Sequence, residues 1–428
     1  MLDIKFIRDN PQVVKDDLKK RNKLERIPWV DQVIQEYKES LDIKQEVEEL
    51  RHKRNIISQE INKLQKEGKD IQAKVKEVRE IPDFIKKMEV RQEELQKAIE
   101  MKLRGIPNIL HKSVPVGKDE TENKVIKRWG KVTKPKFELV NHAELLEKLS
   151  LADFDTARKN SGQGFNYLLG PLAMLDLALQ RYGIEFAVKN KFIPVIPPMV
   201  LHHEALLGAL NGLKDFEEVI YKVEKEDLYL IGTAEHALVT MQRDKIMKEE
   251  ELPLRFCAVT PCFRKEIGGH GVDMKGIFRM HQFNKVEQVV FSRPEDSYKQ
   301  LEYMQKVTEK FFQSLKIPYR VLEICSGDIG AKFAKQWDIE AWFPRQKAYR
   351  EVTSAGSCTD YQARALNIKY TTKKNEKQNV HILNNTMVAT SRAMVAILEN
   401  YQQKDGSIKI PIVLQKYMFG LKKIERIK

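Results

Sequence analysis

Cysteine is scarce in this chain, with four residues in 428, at Cys257, Cys262, Cys325 and Cys358. None forms a Cys-x-x-Cys pair, which argues against a disulfide framework and against a structural zinc site, so no zinc is expected. The thiols read as reduced, in a protein expected to be cytoplasmic. No apolar run approaches the roughly 18 to 20 residues a transmembrane helix needs, so no membrane partner is expected. The opening Met1-Leu2-Asp3-Ile4-Lys5 mixes both charges and lacks the apolar stretch of a signal peptide. A phosphate loop of the Gly-x-x-x-x-Gly-Lys-Ser type is also missing.

What is present is charge. Charged residues make up 32% and hydrophobic residues 42%, the balance of a soluble globular protein rather than a disordered one. The length predicts two domains with at least one large core. The net charge of +14 favours a polyanionic partner, although charge by itself speaks to association and not to a particular site.

Glycine and proline nearly vanish between Pro28 and Arg104, where Glu, Lys, Gln and Arg dominate. This is helix composition. One apolar seam runs through Val30, Ile34, Tyr37, Leu41, Val47, Leu50, Ile57, Ile61 and Leu64. A second runs through Ile71, Val75, Val78, Ile81, Ile85, Met88, Leu95 and Ile99. Lys66-Glu67-Gly68-Lys69-Asp70 lies between them, and its glycine permits the left-handed conformation that closes a helix. Two helices joined by so short a turn must run antiparallel, which predicts a projecting coiled-coil hairpin of roughly 45 to 50 Å. Pro82 is expected to kink or interrupt the second helix. The predicted organisation is an N-terminal domain over 1–110 containing this hairpin (about 28–104), a linker over 111–140, and a catalytic domain over 141–428.

In the last of these, strand-like runs alternate with helical ones without regular βαβ spacing, which predicts an α+β domain around an antiparallel sheet flanked by helices. Extended runs are expected at 192–200, 228–231, 254–260, 286–291, 319–324 and 381–383, and helices at 170–186, 297–315 and 391–401. Phe263-Arg264-Lys265-Glu266 is followed after twelve residues by Arg279-Met280-His281-Gln282-Phe283-Asn284-Lys285-Val286-Glu287. The turn-forming Gly268-Gly269-His270-Gly271 between them lets the two pieces form neighbouring strands of a hairpin. Arginine and glutamate buried together are costly unless paired or met by a charged ligand, and a nucleoside triphosphate beside an amino acid is such a ligand.

That order of residues resembles motif 2 of the class II aminoacyl-tRNA synthetases: an aromatic-Arg-x-Glu, a variable loop, then Arg-x-x-x-Phe-x-x-x-Glu. The resemblance implies that ATP is a substrate, with Arg264 on the α-phosphate, Glu266 toward the adenine, Phe283 stacked on the base, Arg279 facing the terminal phosphates, Met280 touching ATP through its backbone and Lys265 also among the ATP-binding residues. Residues 192–200 resemble motif 1, with Pro198 in the place of a dimer-interface proline and Lys191 where a glycine is usual, which implies a homodimer. Asn384-Asn385-Thr386-Met387-Val388-Ala389-Thr390-Ser391-Arg392 resembles motif 3 without its glycines and glutamate, and places Arg392 on the γ-phosphate.

Three further segments are similar to the seryl branch, in an archaeal-like form. Gly232-Thr233-Ala234-Glu235 resembles its serine loop. Glu351-Val352-Thr353-Ser354, continued by Asp360-Tyr361-Gln362-Ala363-Arg364, resembles its metal segment and implies Mg²⁺ on Glu351 and Ser354, hard oxygens for a hard cation. Val352 and Thr353 then belong to the ATP site, and Asn384 and Thr386 complete the serine pocket. Asp338-Ile339-Glu340-Ala341-Trp342 resembles another stretch of the branch, but reads equally as a core strand. The implied activity is a serine–tRNA ligase that acts on L-serine, ATP and serine tRNA, with selenocysteine tRNA left open as a further partner. Glu235 and Glu287 are candidates for the substrate ammonium, and Glu287 and Thr386 for its hydroxyl. The competing readings are a relative that only binds tRNA and a ligase that loads a carrier protein.

Overall fold

A computed structural model describes residues 1–132, 135–210, 219–266 and 276–426. Two compact units separate at Pro107, namely Met1–Pro107 and Asn108–Lys428.

The first unit opens with two short helices, α1 (Ile4–Asp9) and α2 (Pro11–Lys20). The Asp3 carboxylate caps α1 by accepting the Lys5 amide at 2.8 Å, and Pro11 occupies the first position of α2, where no amide donor is required. The hairpin follows as α3 (Ile27–Lys66) and α4 (Gln72–Gly105). With 40 residues, α3 is about 60 Å long, exceeding the expected length because it runs unbroken from Ile27 to the turn. Gly68 takes φ +66° in that turn, as anticipated. Val47, Ile57, Ile81 and Ile85 are buried between the two helices, joined by Leu50, Ile61, Val78 and Met88 from the two seams. Pro82 does not interrupt α4, which runs through it. The proline forfeits one amide donor, and its neighbours Ile81 and Ile85 are held in the interhelical core. Exposed pairs such as Arg51–Glu89 at 2.6 Å and Lys53–Glu77 at 2.8 Å stitch the outside, each worth at most about 1 kcal/mol.

The second unit is built on eight strands: β1 (Lys124–Trp129), β2 (Ile193–Pro194), β3 (Leu254–Phe263), β4 (Gln282–Ser292), β5 (Tyr319–Glu323), β6 (Lys335–Phe343), β7 (Ala348–Ser357) and β8 (His381–Ala389). Their order in the sheet is β1-β5-β6-β7-β8-β4-β3-β2, antiparallel except for the β2–β3 pair. Side-chain alternation separates the two faces. Val286, Val290 and Leu383 point to one face, which α5 (Gly170–Lys189), α7 (Ser297–Ser314) and α8 (Thr390–Asn400) cover. Val289, Phe291 and Ile382 point to the other and pack on α6 (Ala234–Thr240).

Two expectations are corrected here. Part of the stretch read as a linker is β1, an edge strand in register with β5 from Lys124↔Glu323 to Trp129↔Tyr319. Its lysines and half-exposed pattern are how an edge strand looks, and they hid it among the prolines and charges of 111–140. In the 192–200 run Ile193–Pro194 joins this sheet and Val200 pairs with Leu230 in a separate two-stranded ladder, while the stretch between them, with Pro197 and Pro198, joins neither. Lys191, in the place of the expected glycine, takes φ +66°, the left-handed conformation that glycine adopts without cost.

Gly356 of β7 sits against the Phe333 ring, where an added Cβ would stand 2.3 Å from Cδ1. The substitution Gly356→Ala is expected to cost about 1 to 3 kcal/mol through overpacking. A matching fall in thermal midpoint, measured by calorimetry, checks it.

Candidate active site

At the end of the sheet not covered by α6 lies a cavity of about 380 Å³. Strand periodicity explains its lining. Phe283, Lys285 and Glu287 alternate along β4, and Asn384 and Thr386 along β8, so all five face the same side. The register sets Thr386 directly opposite Glu287, and the threonine hydroxyl donates to the carboxylate at 3.3 Å. A β-bulge opposite Ile339 and Glu340 breaks the alternation of β7, so that four consecutive residues, Glu351 to Ser354, reach the cavity. Thr233 caps α6, accepting the Glu235 amide at 3.3 Å, and donates to Glu287 at 3.4 Å. Ala389, Ser391 and Arg392 enter from the start of α8.

The floor carries two buried ion pairs, Lys285–Glu287 at 2.6 Å and Lys332–Glu235 at 2.5 Å, with Gln362 Nε2 also donating to Glu235 at 2.8 Å. Burial raises the Glu287 carboxyl above the ordinary range despite Lys285. Burial acts on Glu235 in the same direction, but the Lys332 charge prevails and holds that carboxyl low. The buried His236 imidazole, pushed down to about 3 by desolvation, is neutral and accepts the Gly232 amide at 3.4 Å.

The opposite end is cationic. The Arg264 Nε donates to the Gly232 carbonyl at 3.0 Å, and its guanidinium lies 5.5 Å from the centre of the Phe283 ring. Arg279 pairs with Glu266 at 2.5 Å, and Arg392 with Glu351 at 3.0 Å. The ionised lining holds Arg264, Arg279, Arg392, Lys285 and Lys332 against Glu235, Glu266, Glu287 and Glu351, so it is left positive, as a polyphosphate ligand requires. Among the described residues no cluster of three or more His, Cys, Asp or Glu could hold a metal. Glu351 and the Ser354 hydroxyl nevertheless suit Mg²⁺, which keeps several waters and needs few protein oxygens. Desolvation, with the Glu351 charge adding to it, pushes the nearby Asp338 carboxyl up to about 8.

Of the residues singled out from sequence, Thr233, Glu235, Arg264, Glu266, Arg279, Met280, Phe283, Glu287, Glu351, Val352, Thr353, Ser354, Asn384, Thr386 and Arg392 all line the cavity. Ala234 is buried in α6, and the Lys265 amide donates to the Val219 carbonyl; neither lines it. β3 and β4 pair from Leu254↔Phe291 to Phe263↔Gln282, as the hairpin reading required, while the glycine-rich turn at 268–271 lies outside the described residues. Asp338 to Trp342 lies within β6 with Ile339 and Ala341 buried, as the core-strand reading has it. Sequence reasoning overlooked Lys285, Lys332, His236 and Phe278. The alternation of Phe283, Lys285 and Glu287 could have revealed the first; a loop lysine such as Lys332 carries no such signal.

A nucleotide-sized cavity at the centre of an antiparallel sheet, with arginines from the β3–β4 hairpin and from the start of α8, defines the core of a class II aminoacyl-tRNA synthetase. Comparison with known proteins agrees. Residues 220–401 match the family model of the tRNA synthetase class II core domain (G, H, P, S and T), and residues 1–110 that of the seryl-tRNA synthetase N-terminal domain. A serine–tRNA ligase of Methanocella arvoryzae is 49% identical over 98% of this chain and 99% of its own. One from Pyrococcus horikoshii is 48% identical over 99% and 97%. The crystal structure of the P. horikoshii seryl-tRNA synthetase complexed with ATP superposes with a TM-score of 0.92 over the whole of both chains at 47% identity. A cytoplasmic serine–tRNA ligase from Naegleria fowleri in complex with AMP gives 0.86 at 34% identity, over 100% of this chain and 99% of that one. The chain therefore belongs to the seryl-tRNA synthetase family.

The neutral His236 yields a pH prediction. Its folded pKa lies below the unfolded value near 6.5, so the unfolded chain binds the extra proton first, and stability is lost as pH falls from about 6.5 toward 3. The loss attributable to one such group approaches about 1.4 kcal/mol per pH unit in that window. Thermal midpoints of the wild type and His236→Gln between pH 4 and 7 should converge on acidification, with the variant losing less.

Proposed function

We propose that this protein is a serine–tRNA ligase, which activates L-serine with ATP to seryl-adenylate, releases pyrophosphate, and transfers the seryl group to the 3′ end of serine tRNA. The observation that carries the reading is the Glu287 carboxylate held between the Thr233 and Thr386 hydroxyls at 3.4 and 3.3 Å, in the same cavity as Arg264 and Arg279. A cavity whose polar groups expect an ammonium and a hydroxyl rejects alanine by leaving them unpaired, a stronger filter than lost apolar contact.

Serine lies among Thr233, Glu235, Arg264, Glu287, Asn384 and Thr386, and Ala234, buried in α6 behind them, is not among its contacts. ATP is taken by Arg264, Glu266, Arg279, Met280, Phe283, Glu351, Val352, Thr353, Ser354 and Arg392, and the ATP and AMP complexes of the two relatives support a nucleotide here. Arg264 neutralises the α-phosphate while the serine carboxylate attacks it, and Arg279 and Arg392 hold the departing pyrophosphate. A tRNA ribose hydroxyl then attacks the activated carbonyl, and AMP leaves. No side-chain nucleophile is required: the protein aligns the reactants and neutralises charge. Mg²⁺ bound by the Glu351 carboxylate and the Ser354 hydroxyl would supply further neutralisation of phosphate charge.

The hairpin of α3 and α4 is the tRNA-binding element, a part that a carrier-protein ligase would lack. The chain acts as a cytoplasmic homodimer. The edge strand β2 and the following turn leave Ile193 49% and Ile196 97% exposed, an apolar strip for a second copy.

The variant Arg264→Ala is expected to lower serine-dependent pyrophosphate exchange by at least about a hundredfold with an unchanged circular dichroism spectrum. Exchange at the wild-type rate removes Arg264 from its role. Shortening the hairpin on both strands is expected to cripple tRNA charging while leaving exchange within about threefold, because adenylate formation uses only the cavity.

A further inference from the structure

Behind the part of the cavity wall formed by Glu351 and Ser354 stands a second layer of polar groups. β6 and β7 pair so that Asp338 lies directly opposite Ser354, and residues opposite each other in a ladder share one face of the sheet. Ser354 lines the cavity, whereas Asp338 and its neighbour Gln336 do not. The Gln336 amide is the hub of this layer. Its Oε1 accepts the Gly330 amide at 3.1 Å, and since a backbone N–H can only donate, the Nε2 must face the other way. There it donates to Asp338 Oδ1 and to Ser354 Oγ, each at 3.1 Å. The Ser354 hydroxyl in turn donates to the Asp338 carboxylate. Glu340 and Glu351, on the same patch of the sheet, each pair with an arginine, Arg320 and Arg392, while Asp338 is met by these neutral donors.

A hydroxyl carries one hydrogen and two lone pairs. On Ser354 the hydrogen goes to Asp338 and one lone pair to Gln336, so a lone pair is what remains for the cavity, and a hard cation takes an oxygen lone pair. We propose that Asp338 and Gln336 are positioning residues for a divalent cation at Ser354: from outside the cavity they fix the direction of the Ser354 hydroxyl, so that its lone pair and not its hydrogen faces the ligand. The inference rests on the reading of Glu351 and Ser354 as the Mg²⁺ site.

The test reads metal rather than turnover. The full chain is titrated by calorimetry with an ATP analogue whose α–β linkage cannot be cleaved, once with Mn²⁺ as the hard-cation probe and once with a chelator, and the ratio of the two affinities measures the metal's contribution. Asp338→Ala is expected to lower that ratio about tenfold, the scale on which partners of metal ligands act, with the metal-free affinity within about twofold of wild type. Gln336→Leu should act in the same direction. In a Ser354→Ala background the effect of Asp338→Ala should vanish, because both act through one hydroxyl. A ratio that Asp338→Ala leaves unchanged, even with a lowered melting temperature, overturns the proposal, and so does an effect that persists undiminished without Ser354. An anomalous-scattering map of wild-type crystals grown with Mn²⁺ and the analogue decides the matter whether or not the variants fold. Ser354 Oγ bound to the metal while still bonded to Asp338 and Gln336 is expected, and an Asp338 oxygen on the metal, or Ser354 turned away from it, is the contrary result. Mn²⁺ that does not tighten the analogue on the wild-type chain refutes the Mg²⁺ reading itself. Tightening lost in Ser354→Ala but kept in Asp338→Ala refutes only the role of Asp338.

Discussion

The pairing register of β4 with β3 on one side and β8 on the other is the constraint on which the rest of the molecule depends. Glu287 faces Ala258 across one ladder and Thr386 across the other. A slip of one residue would turn Phe283, Lys285 and Glu287 into the packed face beneath α5, α7 and α8, and bring Val286 and Val290 into the cavity. Apolar burial opposes that slip on both faces at once. Val286 and Val290 are fully buried on one side, Val289 and Phe291 on the other. The chemistry at one end of the sheet is thus held in place by packing at the other.

Within this frame the buried charges answer a problem of position rather than of stability. Replacing a buried ion pair by well-packed hydrophobic groups is often neutral or stabilising, so Lys285–Glu287 and Lys332–Glu235 are weak evidence of a contribution to folding. What they provide is a set of charges fixed before any ligand arrives. Arg279 and Arg392 are treated otherwise: their glutamate partners, Glu266 and Glu351, stand at the cavity and keep the guanidinium groups directed there. Those pairs are partly solvated, so exchanging a glutamate for a phosphate costs little. The end of the cavity at Glu235 and Glu287 is buried, while the end at Arg279 and Arg392 is partly solvated.

The hairpin of α3 and α4 follows a different logic. Its contacts repeat every three or four residues along a seam, and a single glycine turn sets the pairing, so local pattern and tertiary structure coincide. That is why the centre of the two seams could be followed in the sequence, although Leu41 and Val75 within them stand exposed, and why packing carries the helix through Pro82 without interruption. The sheet is built from distant pieces, and its strands were legible only where they alternate cleanly or run apolar. The charged edge strand β1 and the strand β7 were not, since a half-exposed strand with mixed polarity has no distinctive period, and β6 was read only over Asp338–Trp342.

The sequence by itself determined the hairpin and its turn, the mixed helix-and-strand character of the second unit, and the group of arginines, glutamates and threonines that resembles a class II site. Those features depend on spacing along the chain, and spacing is what a sequence records. Only the tertiary structure decided which of these groups share a cavity, that a bulge in β7 turns consecutive residues inward, and that Lys332 reaches Glu235 from a loop 97 positions away. Pairings of that kind depend on how separate segments fill one space, and nothing in local periodicity encodes the partner of a buried charge.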